Sequence, residues 1–216
     1  MKLPIIVSLA MLAPALPAVF ALPAPAHAQQ AEKQAENQSP EQAVRATIER
    51  VMAAIRSDPG GRAGDPERIY QLVRQHFLPA TDFGLTTQYA VGEAWASATP
   101  AQREALVSQF TTLLARTFAL QLTQIHAQDT RFTYAPAARP AAGASDAVVK
   151  TSVRTEGDLM PIDYRLRKTG DGWKIYDINM MGAWMIQVYR RQFAARLASG
   201  GIDGLIKYLA AHNAAV

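Results

Sequence analysis

The sequence predicts an α+β fold in which helices come first, four antiparallel strands follow and helices close the chain. Three observations carry this. Apolar residues recur at the helical period up to about residue 125, switch to a period of two from residue 128 to about residue 179, and then return to the helical period. The links between the period-two segments are short turns, which pair strands antiparallel, whereas parallel pairing needs a crossover of a dozen or more residues. With 49% of residues hydrophobic, the chain is also long enough to bury one core from its own side chains.

The first element is a leader. Lys2 gives a positive start, residues 3–22 are almost wholly apolar, and Ala26-His27-Ala28 is a small-x-small cleavage site before Gln29, so residues 1–28 read as a cleaved secretory signal peptide. Pro4, Pro14, Pro17 and Pro23 interrupt the helix of roughly 20 residues that a membrane anchor would need. The expected product is therefore exported and soluble, in a periplasmic setting. Residues 29–38 are polar and read as a flexible lead-in, and residues 39–213 as one domain.

Helix signals begin at Ser39, an N-cap followed by Pro40 at the first helical position. Val44, Ile48, Val51, Met52 and Ile55 then share one face until Asp58-Pro59-Gly60-Gly61 stops the helix. Asp65-Pro66 repeats the start signal ahead of Ile69, Leu72, Val73 and Phe77. A short helix is expected over residues 82–91, before Gly92. Thr99-Pro100 then opens a long one running to about Ile125, roughly 39 Å at 1.5 Å per residue. The apolar residues of this helix cover an arc of roughly 200°, twice the stripe of a helix packed on one side. It lies either between two protein layers or with its second face on a cavity.

Strands are expected at residues 131–134, 147–155, 160–168 and 172–179, with turns at 136–145, 156–158 and 169–172. Ile162, Tyr164 and Leu166 point to one face, while Asp163, Arg165 and Arg167 point to the other, so one face of the sheet is wet. Two helical stretches end the chain, over residues 183–198 and 202–211, split by Gly200-Gly201. In the first, Ile186, Tyr189, Phe193 and Leu197 make one stripe, and Trp184 and Val188 a second on nearly the opposite side.

Composition excludes several chemistries. There is no Cys, so disulfides, thiolate metal sites and a Cys nucleophile are absent. Without the leader, one Lys fewer leaves 21 basic against 18 acidic residues, a charge of +3 that is too weak for a nucleic-acid footprint. His76, His126 and His212 form no metal-binding pair. No nucleophile elbow, Walker loop or dinucleotide fingerprint occurs. The best enzymatic candidate is Asp177 beside Tyr176. Alternation puts Asp177 on the Trp173 face, although an Asp near a strand end more often bonds a turn or a helix end. Lys150, Arg154, Arg165, Arg167, Arg190, Arg191 and Arg196 read as a solvated face with anionic headgroups or partner proteins as the alternative.

Read in order, Asp82-Phe83, Val91-Gly92, Trp95, Ala98-Thr99-Pro100, Gln102-Arg103, Phe110, Leu113-Leu114 and Thr117-Phe118 resemble the MlaC, or toluene-tolerance, family of periplasmic lipid-binding proteins. The later run Trp173-Lys174-Ile175-Tyr176-Asp177-Ile178, followed by Tyr189, Phe193, Gly201-Ile202, Leu205-Ile206 and Leu209, does so too. The hopanoid-associated HpnM branch carries similar motifs. The resemblance spans about residues 39–209. Phe118 stands where the family often has Tyr, and Gln88 near where it often has a basic residue.

The resemblance implies a curved four-stranded antiparallel sheet wrapped by the N- and C-terminal helices around an apolar pocket. It further implies a carrier of phospholipid or another two-tailed lipid, not an enzyme and with no cofactor. The lipid would pass between an outer-membrane lipoprotein complex and an inner-membrane ABC-type complex. A monomer with no nucleic-acid partner is expected. A hopanoid-associated lipid binder, a small-substrate enzyme on a similar cone-shaped fold and an interaction module with a filled core are the alternatives. On the implied fold, the pocket lining draws on Phe77, Phe83, Leu85, Tyr89, Phe110, Leu114 and Phe118 from the first helices. Ile162, Tyr164, Ile178, Met180, Met181, Trp184, Val188 and Tyr189 complete it. The flexible thioethers of Met180-Met181 suit a tail of variable shape.

Overall fold

A computed structural model describes residues 38–123, 130–135, 143–155 and 158–215. The expected leader and nearly all of the lead-in lie outside the described residues, as do parts of the turns at 136–145 and 156–158.

Local chemistry starts each early helix. Helix α1 (Pro40–Ser57) opens on a capping box: Ser39 Oγ accepts from the Gln42 N–H at 3.1 Å, and Gln42 Oε1 accepts from the Ser39 N–H at 2.8 Å. Pro59 then disfavours helical geometry at Asp58, which is extended with ψ 130°. The stop expected there holds, but the chain immediately makes one further turn, α2 (Pro59–Arg62), because the Asp58 carboxylate caps it through the Gly61 N–H at 2.9 Å. The Asp65 carboxylate caps α3 (Pro66–His76). A 3-10 turn at Leu78–Ala80 leads into α4 (Phe83–Val91), capped by Asp82 through the Leu85 N–H at 2.9 Å. After a second 3-10 segment, Gly92–Ser97, another Ser/Thr-x-x-Gln box at Thr99 and Gln102 opens α5 (Pro100–Thr123).

The sheet is an antiparallel meander of β1 (Arg131–Tyr134), β2 (Asp146–Thr155), β3 (Asp158–Thr169), β4 (Gly172–Met180) and β5 (Ala183–Trp184). The fifth strand is an addition to the four expected. Asn179 pairs with Trp184 and Met180 with Ala183, across a two-residue turn whose Met181 and Gly182 have φ of 54° and 87°. Two left-handed residues in succession make the type I′ turn, whose twist matches that of the flanking strands. Trp184 therefore belongs to a strand, and the last helix, α6 (Met185–Ala214), starts two residues later than expected. The break expected at Gly200-Gly201 is a kink at Gly201, with φ 60° and ψ −160°.

Two apolar clusters pack around α5. The first lies between the inner face of the sheet (Val149, Val153, Ile162, Tyr164, Leu166, Ile175), the stripes of α1 and α3, and Ala115, Ala119 and Leu122 of α5. The second joins Ala90 and Val91 of α4, Leu106, Phe110 and Leu113 of α5, and Tyr189, Phe193, Leu205 and Leu209 of α6. The broad apolar arc of α5 thus serves different neighbours along its length. Its first half faces α4 and α6, and its second half faces α1, α3 and the sheet.

Candidate functional site

Two cavities open where these clusters fail to close. The larger holds about 360 Å³ and lies between Ile48, Val51 and Met52 of α1, Phe118, Gln121 and Leu122 of α5, and the sheet residues Phe132, Met160, Ile162, Tyr164 and Met180. Phe77 closes one side and Met181, 77% exposed at the β4–β5 turn, marks where it reaches the surface. The smaller holds about 60 Å³ and is lined by Phe83 and Thr86 of α4, Leu114, Ala115 and Thr117 of α5, the β4 residues 175–178, and Met185. Phe77, Phe118, Gln121 and Met180 border both. The rings of Phe77 and Phe118 stack there, 4.8 Å apart with 30° between planes.

Polar groups around this space are mostly spent on each other. Thr86 Oγ1 donates to the Tyr176 carbonyl at 2.7 Å. Tyr164 is buried, and desolvation pushes its phenol pKa up, while the nearby Thr151 hydroxyl donates to the Ile162 carbonyl at 2.9 Å. Asp177 is the one buried carboxylate among the described residues, and burial pushes its pKa up. Its Oδ1 accepts from the Ile186 and Ile178 N–H groups at 3.0 Å each, and its Oδ2 accepts from Arg165 Nη1 at 3.0 Å. What remains facing the cavities is overwhelmingly hydrocarbon, with the Gln121 amide as a polar exception.

The position of Asp177 corrects a sequence expectation. Strict alternation places it on the Trp173 face, but the β3–β4 register shifts between Arg165 and Leu166. Leu166 pairs with Ile175 and Arg165 with Asp177, which leaves Tyr176 as an extra residue in a bulge. Beyond it the alternation is inverted. Ile175 and Ile178 both pack on the inner cluster, and Asp177 joins Arg165 on the opposite face, under the start of α6.

Of the residues expected to line a pocket, Phe77, Phe83, Leu114, Phe118, Ile162, Tyr164, Ile178, Met180 and Met181 border one or both cavities. Six lie elsewhere. Phe110 and Tyr189 pack edge to face at 4.9 Å and join Phe193 in the second cluster. Trp184 lies beneath the Arg165 guanidinium, 3.7 Å from ring centre to Cζ. The Tyr89 hydroxyl accepts from Arg167 Nη2 at 3.2 Å, beside Tyr176, and the residue borders a separate surface groove with Arg190. Leu85 and Val188 are half-buried and border none of these spaces. Sequence reasoning missed Ile48, Val51 and Met52, although their stripe on α1 was visible, and Phe132 and Met160, which share the inner-face register of Ile162. Gln121 carried no signal.

Among the described residues no cluster of His, Cys, Asp and Glu is arranged to hold a metal ion, and no helix is long and apolar enough to cross a membrane. The combined free volume is smaller than the roughly 800 Å³ that two lipid tails fill, and Phe77, Phe118, Gln121 and Met180 stand between the two cavities.

Comparison with known proteins finds a family and a solved structure that this chain resembles. The family model described as MlaC protein matches residues 45–211. The chain is also similar to a solved structure of the phospholipid-binding protein from Ralstonia solanacearum in complex with a phospholipid. It is 37% identical over 82% of this chain and 98% of that chain, with a TM-score of 0.76.

Proposed function

The chain belongs to the MlaC family, and from that premise we propose that it is a carrier that holds phospholipid by its acyl tails in the two cavities. The observation that carries the reading is the apolar space itself, walled by sheet, α1 and α5 and reaching the surface at Met181. The phospholipid bound to the similar Ralstonia protein supports the ligand class.

The physics of a carrier fits this geometry. Two tails contain on the order of 30 methylenes, and exposing them to water costs roughly 25 kcal/mol at about 0.8 kcal/mol each. That cost bars free diffusion of the lipid through an aqueous gap. A dry hydrocarbon wall offers nearly the same solvent as a bilayer, so loading and unloading lie near balance and partners set direction. The leader over residues 1–28 supports a periplasmic location. The route that the family resemblance suggests runs between an outer-membrane lipoprotein complex and an inner-membrane ABC-type complex, and the carrier acts as a single domain and a monomer. The cavity-bordering residues Phe77, Phe83, Leu114, Phe118, Ile162, Tyr164, Ile178, Met180 and Met181 supply the tail contacts.

An acid–base enzyme at Asp177 is disfavoured by its bonding. Both carboxylate oxygens are engaged, two backbone donors on Oδ1 and a guanidinium on Oδ2. The group is committed to joining β3, β4 and α6. Native mass spectrometry of protein purified from the periplasm tests the carrier reading. The expected spectrum shows one phospholipid mass per chain; protein free of lipid that also takes none from vesicles refutes it.

A further inference from the structure

The two cavities share one wall, and its residues are unequal. Phe77 is 6% exposed and held in the first cluster, whereas Phe118 is only half-buried at the stack it makes with Phe77. Met180, unbranched and with three rotatable bonds, and Gln121 complete the wall. Phe118 and Met180 are only partly buried and Gln121 is exposed, and all three border free space on both sides of the wall.

Volume gives the wall a consequence. Two tails need about 800 Å³, so one needs about half of that. The larger cavity offers about 360 Å³, close to the need of one tail with the stack closed. The free space adjoining the larger cavity on the far side of Phe118 is the smaller cavity, whose 60 Å³ would grow if Phe118 and Met180 swung aside.

We propose that the Phe77–Phe118 stack is a partition that sets how many tails the protein accepts, with Phe77 as the fixed post and Phe118 as the moving leaf. This rests on the lipid-binding reading above. Lipids with one tail occupy the larger cavity and leave the stack shut. Lipids with two tails enter only as the stack parts, and the second tail then lies along Phe83, Leu114 and Ile178. Residue 118 therefore determines specificity between single-tailed and two-tailed lipids rather than affinity for hydrocarbon in general.

The test is a competition between dipalmitoyl phosphatidylcholine and palmitoyl lysophosphatidylcholine, presented equimolar to delipidated protein and read as bound masses by native mass spectrometry. Phe118→Ala and the milder Phe118→Leu remove the leaf and should raise the ratio of two-tailed to single-tailed lipid, by about tenfold for Ala. Phe118→Trp enlarges the leaf and should lower the ratio by a similar factor. The Leu and Trp variants keep an apolar side chain at the site, so the test stands if the Ala variant does not fold. A ratio equal to that of the unaltered protein in the Leu and Trp variants overturns the partition while leaving lipid binding intact. Unaltered protein that binds neither lipid overturns the functional reading instead.

Discussion

At the scale of single residues, two aspartates of opposite character hold the chain. Asp58 receives two donors from Arg68, Nε at 2.8 Å and Nη2 at 2.7 Å, and one from the Gly61 N–H. The Arg68 hydrogen bonds, then that of Gly61, bring its pKa from 3.8 down to about 2. A folded value below the unfolded one adds stability above the unfolded value, and that stability is lost as the pH falls through the window from 3.8 to about 2. Asp58→Asn keeps the capping oxygen but removes the charge. Urea unfolding midpoints for this variant should fall less steeply between pH 4 and pH 2 than those of the unaltered protein. The difference should shrink in high salt, because the pair is at the surface.

Asp177 works in the other direction. Burial raises its folded pKa, so its ionisation takes stability away as the pH rises through the range above 3.8, against which Arg165 and two backbone donors compensate. The carboxylate side chain is fully buried while that of Arg165 is 32% exposed. Asp177→Ala leaves the Ile186 N–H and the guanidinium without their acceptor, and should cost about 3 kcal/mol in denaturant unfolding. A loss below about 1 kcal/mol would mean that Arg165 is held by Trp184 alone.

At the scale of elements, the helix starts were legible and the sheet was legible except at one point. Ser39 with Pro40, Asp65 with Pro66, and Thr99 with Pro100 are signals contained within two residues, so they survive without knowledge of the fold. The bulge at Tyr176 is different. It arises from how β4 meets β3, and no local feature of Trp173-Lys174-Ile175-Tyr176-Asp177-Ile178 marks which residue is extra. The breadth of the apolar arc on α5 was visible, but its division between two clusters depends on where α4 and α6 dock.

Two substitutions probe these elements. A Cβ at Gly61 would stand 2.8 Å from the Ile55 carbonyl oxygen and 3.2 Å from Leu72 Cδ1. The first contact is with backbone, which cannot turn aside. Gly61→Ala should therefore cost about 1–3 kcal/mol, seen as a lower thermal midpoint. Met181 sits at the first position of a type I′ turn, where a left-handed conformation penalises any side chain except those of Gly, Asn and Asp. Met181→Asn should stabilise the protein by about 1 kcal/mol. An unfavourable residue kept at the lip of the larger cavity fits a site where contact with lipid outweighs stability; reduced uptake of lipid by this more stable variant would show it.

At the scale of the whole molecule, the order of helices, sheet and helices followed from the change of hydrophobic period. The hollow did not, because a residue lining a cavity and one packed in a core have the same composition and spacing. Phe110 and Tyr189 illustrate this, being aromatic, inward-facing and on the expected helices, yet packed against each other and Phe193 in a second cluster rather than bordering either cavity. The larger cavity lies instead where α1, the end of α5 and the sheet diverge, and Met160 and Phe132 reach it through strand register.

A carrier of this kind must move phospholipid across water in its apolar space. The most direct measurement is transfer of a self-quenched fluorescent phospholipid from donor to acceptor vesicles held apart by a membrane that passes protein but not vesicles. Dequenching should grow with protein concentration and be largely lost in Ile162→Trp, which fills the larger cavity from the sheet. Equal transfer by Ile162→Trp and the unaltered protein, or none by the unaltered protein, would contradict it.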